Sequence, residues 1–149
     1  MKRVILVDLD NTIFSNTERF NKFSKLKGNG DLEAFHSMEE VLKDPPFPMM
    51  IRLLEDLSAW NQIFILSARH QMDYEVSKGQ LDKHRVPYDR IILAPDGDET
   101  PAPQFKTKIY KELLEEGLDV WLALDDCLDN CKALREAGLE TLHVRENGY

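Results

Sequence analysis

The sequence predicts an α/β fold built on a mostly parallel five-stranded sheet, and three observations carry that prediction. Five short apolar runs recur along the 149 residues: RVILVDLD, QIFILSA, RIILAP, VWLALDD and TLHVRE. Near-continuous Val, Ile and Leu, rather than alternation, is the pattern of strands buried on both faces. Segments of helical periodicity separate these runs, and strand–helix alternation selects a sheet with helices packed on its faces. The length suits a single domain, 1–149, large enough to bury a core without disulfides or metals to staple it.

Taken in order, the first strand runs through Val4–Val7 straight into Asp8 and Asp10. Ser15 to Pro48 then separates it from its helix by far more than the few residues of an ordinary βα connection. The patterning there predicts short helices over about Glu18–Leu26 and Leu32–Leu42, closed by DPPFP. An insertion at about 15–48 would lie over the top of the sheet, where long loops cover functional sites. PMMIRLLEDLSAW places Met50, Leu53, Leu54 and Leu57 on one helical face. QMDYEVSKGQLDKHR follows the second strand, FKTKIYKELLEEG precedes the fourth, and DNCKALREAG precedes the fifth. Gly117 and Gly138 mark the ends of the last two helices.

The formal charge of −8 excludes a protein that coats nucleic acid non-specifically, since such binding requires neutralising phosphates. It leaves room for a local basic pocket. No run approaches the ~20 apolar residues of a membrane span, and the N-terminal apolar run is too short for a secretory signal. The expectation is an intracellular, cytoplasmic protein with no membrane partner. Cys127 and Cys131 read as reduced thiols near a helix start, with too few neighbouring ligands for zinc.

In a parallel sheet, ligands bind beyond the carboxyl ends of the strands. Here those ends carry Asp8 and Asp10, then Ser67 with Arg69 and His70, then Asp125 and Asp126 with Asp129 just beyond. Lys106 starts the helix before the fourth strand. Each has an ordinary structural reading. An aspartate at a strand end forms turns or caps helices, Ser67 can cap, Asp129 can cap the helix of Cys131, and Lys106 can be a solvated first-turn lysine. The set, delivered to one sheet edge by three unconnected segments, favours chemistry.

Four of these segments, in order, resemble the motifs of the haloacid dehalogenase (HAD) superfamily of phosphotransferases. They are DLDNT for its DxDx[TV] signature, ILSAR for the Ser/Thr motif, Lys106 for the third and LALDD for the fourth. LSAR and LALDDCLDNCKALREAGLETLHVRENG are further similar to the phosphatase domain of phage-type polynucleotide kinase, and DLEAFHSM…DPPFP is similar to a segment of its phage relatives. Asn11 and Ala68 stand where that family usually has glycine, and Cys127 where relatives often carry arginine. No kinase GxxxxGK[ST] loop occurs, so the resemblance implies a stand-alone phosphatase-type domain.

The resemblance implies a HAD-like Rossmannoid three-layer sandwich with a small helical cap after strand 1. It also implies roles: Asp8 as nucleophile and Asp10 as acid, then base. Mg²⁺ would be held by Asp8, the backbone carbonyl of Asp10 and Asp126, with Asp125 bound directly or through water. Ser67 and Lys106 would stabilise phosphoryl charge, and Arg69, Asn11, Thr12 and Ala68 would line the substrate. The implied substrate is a nucleic-acid 3′-phosphate or 2′,3′-cyclic end, in host cytoplasm if phage-encoded, with a separate kinase or ligase as partner. A nucleoside monophosphate phosphatase and a catalytically silent binding module are the alternatives. Within the insertion, Arg19, Lys22, Lys25 and Lys27 interleave with Phe20, Phe23, Phe35 and His36. That stripe reads either as an amphipathic cap helix with its aromatics packed down and its lysines in water or as a platform for a nucleic-acid end.

Overall fold

The computed structural model describes residues 2–24 and 35–145. Strands β1 (Arg3–Val7), β2 (Asn61–His70), β3 (Arg90–Ala94), β4 (Val120–Asp125) and β5 (Thr141–His143) form one sheet in the order β3-β2-β1-β4-β5, with every pair parallel. Six α-helices occur among the described residues: α1 (Thr17–Ser24), α2 (Met38–Val41), α3 (Pro48–Ser58), α4 (Tyr74–Lys83), α5 (Ala102–Glu115) and α6 (Leu128–Glu136). None of them is long and apolar enough to cross a membrane.

The central strand explains the three layers. Ile5 and Val7 pack with Ile63, Ile65, Met50, Leu54 and Leu81 on one face. Val4 and Leu6 pack with Phe64, Leu66, Phe105, Leu113 and Leu134 on the other. Adjacent residues of a strand point to opposite faces, so a run of four apolar residues is what a strand covered on both sides requires. The chain winds β1-β2-β3 in one direction, then returns to β4 and β5 on the other side of β1. This reversal puts the sheet's switch point beside β1, where the crevice opens at the strand ends.

Several boundaries differ from the sequence reading. α5 begins at Ala102, with Pro101 as N-cap and a proline in its first turn, so Lys106 lies in the second turn rather than at the start. Leu53 is 42% exposed, and the buried face of α3 is formed by Met50 and Leu54 with Ile51 and Leu57 half-buried. The segment after β2 opens with a 3-10 turn (Gln71–Asp73) before α4. In the insertion α1 starts at Thr17, α2 is only four residues long, and Phe14 bridges antiparallel to Pro46 of DPPFP. The expected helix limits at Leu26 and Leu32, together with Lys25 and Lys27, lie outside the described residues. Gly117 and Gly138 do end their helices, with φ of 85° and 100°, as C′ positions in the left-handed region demand.

Candidate active site

The loop after β1 is wound tightly on the Leu9 carbonyl, which accepts from the backbone N–H of Ile13 at 3.0 Å, with Thr12 and Phe14 nearby at 3.3 and 3.4 Å. Leu9, Ile13 and Phe14 are fully buried and anchor the loop to the core. Asn11 has φ of 62°, a conformation that asparagine tolerates better than most residues, which accounts for Asn where glycine is usual. Its side-chain Oδ1 accepts from the N–H of Asn16, so Asn11 supports the loop's exit. β1 stops at Val7, so neither aspartate is on the strand itself. Asp8 is still pinned to the sheet edge, since its N–H donates to the Leu124 carbonyl at 3.0 Å.

Asp8 and Asp10 face two different charge clusters. Around Asp8, Lys106 Nζ donates to Asp8 Oδ1 at 2.7 Å and to Asp125 Oδ2 at 2.6 Å, and Thr12 Oγ1 donates to Asp8 Oδ2 at 2.8 Å. The side chains of Lys106 and Asp125 are each 2% exposed. A solvated first-turn lysine is therefore excluded; this ammonium is buried between two carboxylates. Asp125 is the more committed of its pair. Its Oδ1 accepts from the Cys127 N–H at 2.9 Å, and Asn130 Nδ2 donates to both of its oxygens at 3.2 Å. Asp129 does not cap α6 as expected: it lies within the first turn, Cys127 is the N-cap with no side-chain cap bond, and Asp125 instead accepts the N–H of Cys127 itself.

Carboxylate oxygens of Asp8, Asp125 and Asp126 all lie within 4.8 Å of one another. An all-oxygen, all-anionic donor set suits a hard divalent cation such as Mg²⁺. Three buried carboxylates against one lysine also leave negative charge for a cation to neutralise, so these residues fit the ion. The Asn130 Oδ1, buried beside Asp125, has no hydrogen-bond partner among the described residues.

The same crowding shifts the titrations. Burial, reinforced by Asp125 and Asp126 and opposed by Lys106, pushes the Asp8 carboxyl well above its ordinary value. Burial likewise raises Asp126, with Asp125 adding to the effect. A raised folded pKa contributes stability that is fully present below the unfolded value of about 4 and is lost as pH rises through the folded value. Asp8→Asn removes that loss. The unfolding midpoint of Asp8→Asn minus that of the wild type, both in chelator, is expected to grow as pH rises from acid to neutral. A difference that stays flat with pH would contradict the assignment.

The second cluster surrounds Asp10. Register between β2 and β3 jumps from Ser67↔Leu93 to His70↔Ala94, leaving Ala68 and Arg69 as extra residues in a bulge that re-aims the strand end. Ala68 is exposed, whereas the Arg69 side chain is 7% exposed and turned onto Asp10. Nε donates to Asp10 Oδ2 at 2.9 Å and Nη2 to Oδ1 at 2.7 Å, a two-bond fork. Buried Ser67 (2% exposed) accepts from the Arg69 N–H through Oγ at 3.2 Å, so its hydroxyl shapes the bulge. Burial works against ionisation of Asp10, but Arg69, with Arg19 and His36, outweighs it and holds the carboxyl below its ordinary value.

Arg19 departs from the solvated-stripe reading. It is 5% exposed, clamps Asp44 from Nε and Nη2 (2.9 Å at the shortest), donates from Nη1 to the Phe35 carbonyl, and reaches Asp10 at 3.5 Å. Lys22 stays in water with Glu40, while Phe20, expected to pack down, is 57% exposed. A cavity of about 30 Å³ remains between insertion and core, lined in part by Asp10, Arg19, Phe35, His36 and Arg69.

Sequence reasoning missed Ser77 and Gln80, both fully buried, whose side-chain oxygens accept from Arg69 Nη1 at 3.0 and 3.2 Å. The available signal was a polar pair set among the buried apolar positions Val76 and Leu81 of α4. It also missed His143, whose Nε2 lies 2.7 Å from the Asp126 carbonyl oxygen, and Arg145, which donates to the Thr12 carbonyl and stacks on Phe47. Both cysteines are free, and burial pushes the Cys131 thiol up to about 11.

A family model described as "Polynucleotide kinase PNKP phosphatase domain" matches residues 2–149. Among solved structures, a chain of the Pnkp1/Rnl/Hen1 RNA repair complex is similar with a TM-score of 0.78 and 16% identity; the match covers all of this chain but only 44% of that one. A class C acid phosphatase from Bacillus anthracis matches at TM-score 0.72 and 16% identity, over 99% of this chain and 68% of its own. A HAD-family enzyme from Bacteroides thetaiotaomicron, complexed with magnesium and inorganic phosphate, matches at TM-score 0.63 and 13% identity, over 98% and 96%. At these identities the structures establish the HAD-like fold. No curated protein matches.

Proposed function

The chain belongs to the PNKP phosphatase-domain family, phosphatases of the HAD type, and from that premise we propose that it is a Mg²⁺-dependent phosphomonoesterase acting on nucleic-acid 3′ ends. The observation that carries the proposal is Asp8 itself: a buried carboxylate between Lys106 and the Asp125–Asp126 pair, two residues from a second carboxylate forked by Arg69.

A phosphomonoester pairs a poor leaving group with an anionic phosphorus centre, so a covalent route through a carboxylate splits one hard step into two easier ones. Asp8 attacks phosphorus, forming the Asp8 O–P bond as the ester P–O bond breaks. Asp10 delivers a proton to the departing oxygen, then takes one from the water that hydrolyses the acyl phosphate. In the ligand-free chain the arginines hold Asp10 as the carboxylate, the form the second step needs. Four of the five N–H donors of Arg69 are used by described residues, which leaves one on Nη2. An arriving phosphate competes for that guanidinium, loosening the fork and favouring a proton on Asp10. Lys106 stays beside Asp8 and offsets charge as it moves to phosphorus. Ser67, Asn11, Thr12 and Ala68 shape the loops around the phosphate. Asp8, Asp126 and the Asp10 carbonyl would hold Mg²⁺, with Asp125 direct or through water; the ion supplies Lewis-acid charge neutralisation.

Activity is expected to vanish in EDTA and return with Mg²⁺; full turnover in chelator would contradict the metal assignment. Substrate class is tested by comparing a 3′-phosphorylated oligonucleotide with 3′- and 5′-mononucleotides. Preference for the oligonucleotide supports the proposal, and preference for a 5′-nucleotide overturns it. One observation favours that second, nucleotidase reading: Arg19, part of the expected basic platform, is sequestered on Asp44. The RNA repair complex that contains the similar chain supports a separate kinase or ligase partner.

A further inference from the structure

We propose that Gln80 is a positioning residue that ties the seating of the insertion to the aim of the Arg69–Asp10 pair; this rests on Asp10 as the group that moves protons. Gln80 has no exposed surface, and it uses both ends of its amide. Oε1 accepts from Arg69 Nη1 at 3.2 Å, while Nε2 donates to the Val41 carbonyl at 3.2 Å. Val41 is the last residue of α2, and its carbonyl accepts from the Asp44 N–H at 3.1 Å as well as from Gln80. One buried side chain therefore spans from the insertion to an active-site guanidinium.

The neighbours of Gln80 point the same way. Ser77, one turn earlier on the same helix face, supplies the second acceptor to Arg69 Nη1 at 3.0 Å. Lys83, one turn later, donates to the Leu42 carbonyl at 3.0 Å. α4 thus presents both acceptors of Arg69 Nη1 and two ties to the insertion along successive turns. With Nη1 fixed on α4, the guanidinium plane is fixed, and with it the edge that forks Asp10. A planar fork transmits a tilt at one end directly to the other. Were Gln80 merely filling space, an apolar side chain would serve at lower desolvation cost.

Gln80→Met keeps the volume and removes both bonds. Loss of Asp10's aim affects esters whose leaving oxygen needs a proton and spares an aryl ester that departs without one. For Gln80→Met, kcat on the alkyl ester that the wild type hydrolyses fastest is expected to fall by roughly 10- to 100-fold, with at most a ~3-fold fall on p-nitrophenyl phosphate. KM should change little, and amide hydrogen exchange at residues 38–44 should speed up. Gln80→Glu restores an acceptor to Arg69 but no donor to Val41, so exchange should stay fast and the alkyl ester rate should recover only in part; full recovery with fast exchange would show that the insertion is not tied to the pair. Equal losses on both esters, or no loss, together with unchanged exchange, would overturn the proposal. If Gln80→Met does not fold, Gln80→Glu and Ser77→Ala carry the same comparison. A wild type that prefers 5′-nucleotides defeats the proposed substrate yet leaves the ester ratio readable, and exchange needs no substrate.

Discussion

Asp8→Asn is expected to give a folded protein whose phosphatase turnover is lower by about 10⁴-fold or more, the scale on which removing a nucleophile acts. The amide preserves the shape of the side chain. Its oxygen can still accept from Lys106, which holds Asp8 Oδ1 at 2.7 Å, and its NH₂ can donate to the Thr12 hydroxyl, whose own proton can turn to Asp126. What disappears is the anionic oxygen that forms the bond to phosphorus. Stability should not suffer, because Asp8 is one of three crowded carboxylates and its charge is opposed by burial and by its neighbours. Turnover near the wild-type rate, with contaminating phosphatase excluded, would remove Asp8 from the mechanism. Lost activity accompanied by an unfolded chain would show that the geometry around Asp8 had been misjudged.

Lys106→Met is expected to fail in both respects. The ammonium is buried between Asp8 and Asp125, and its pKa is pushed up because burial, which opposes the charge, is outweighed by those two carboxylates. Removing one partner of a buried ion pair strands the other, at a cost of about 3–5 kcal/mol. For a chain of 149 residues that corresponds to a fall in Tm of roughly 10 °C. The loss should be largest at neutral pH in chelator. It should shrink in acid, where Asp8 takes up a proton, and shrink again with Mg²⁺. Turnover is lost with the charge that offsets phosphoryl transfer. A variant as stable as the wild type across that pH range would refute the buried-pair description.

The sheet and the four chemical segments were legible because each depends on short-range pattern. Short unbroken Val-Ile-Leu runs that alternate with helical segments fit doubly covered strands, and polar residues closing several such runs at one sheet edge are explained together by chemistry better than singly by turns and caps. The second cluster was not legible because its burial depends on partners distant in sequence. Arg19 reads as one solvated cation in a basic stripe until Asp44, 25 residues on, closes over it. Ser77 and Gln80 read as ordinary helix polars until a bulge at Ala68 and Arg69 swings the guanidinium across to them. Lys106 lay between these cases: its position in the motif order was informative, but its burial came from α5 starting one turn earlier than the apolar pattern indicated. Asp10 shows the consequence for chemistry. A spacing of two residues at a strand end would put it on the same side as Asp8, whereas the loop aims the two carboxylates at different partners.

The central claim is that Asp8 accepts the phosphoryl group of a nucleic-acid 3′ end, and its most direct test is to find the phosphate there. An oligonucleotide carrying a labelled 3′-phosphate is mixed with the enzyme and Mg²⁺, quenched in acid during turnover, and the protein digested and sequenced by mass spectrometry. The account predicts label on the peptide containing Asp8, none with Asp8→Asn, and none from the same oligonucleotide labelled at its 5′ end. Turnover without protein-bound label, or label on any other residue, would contradict it.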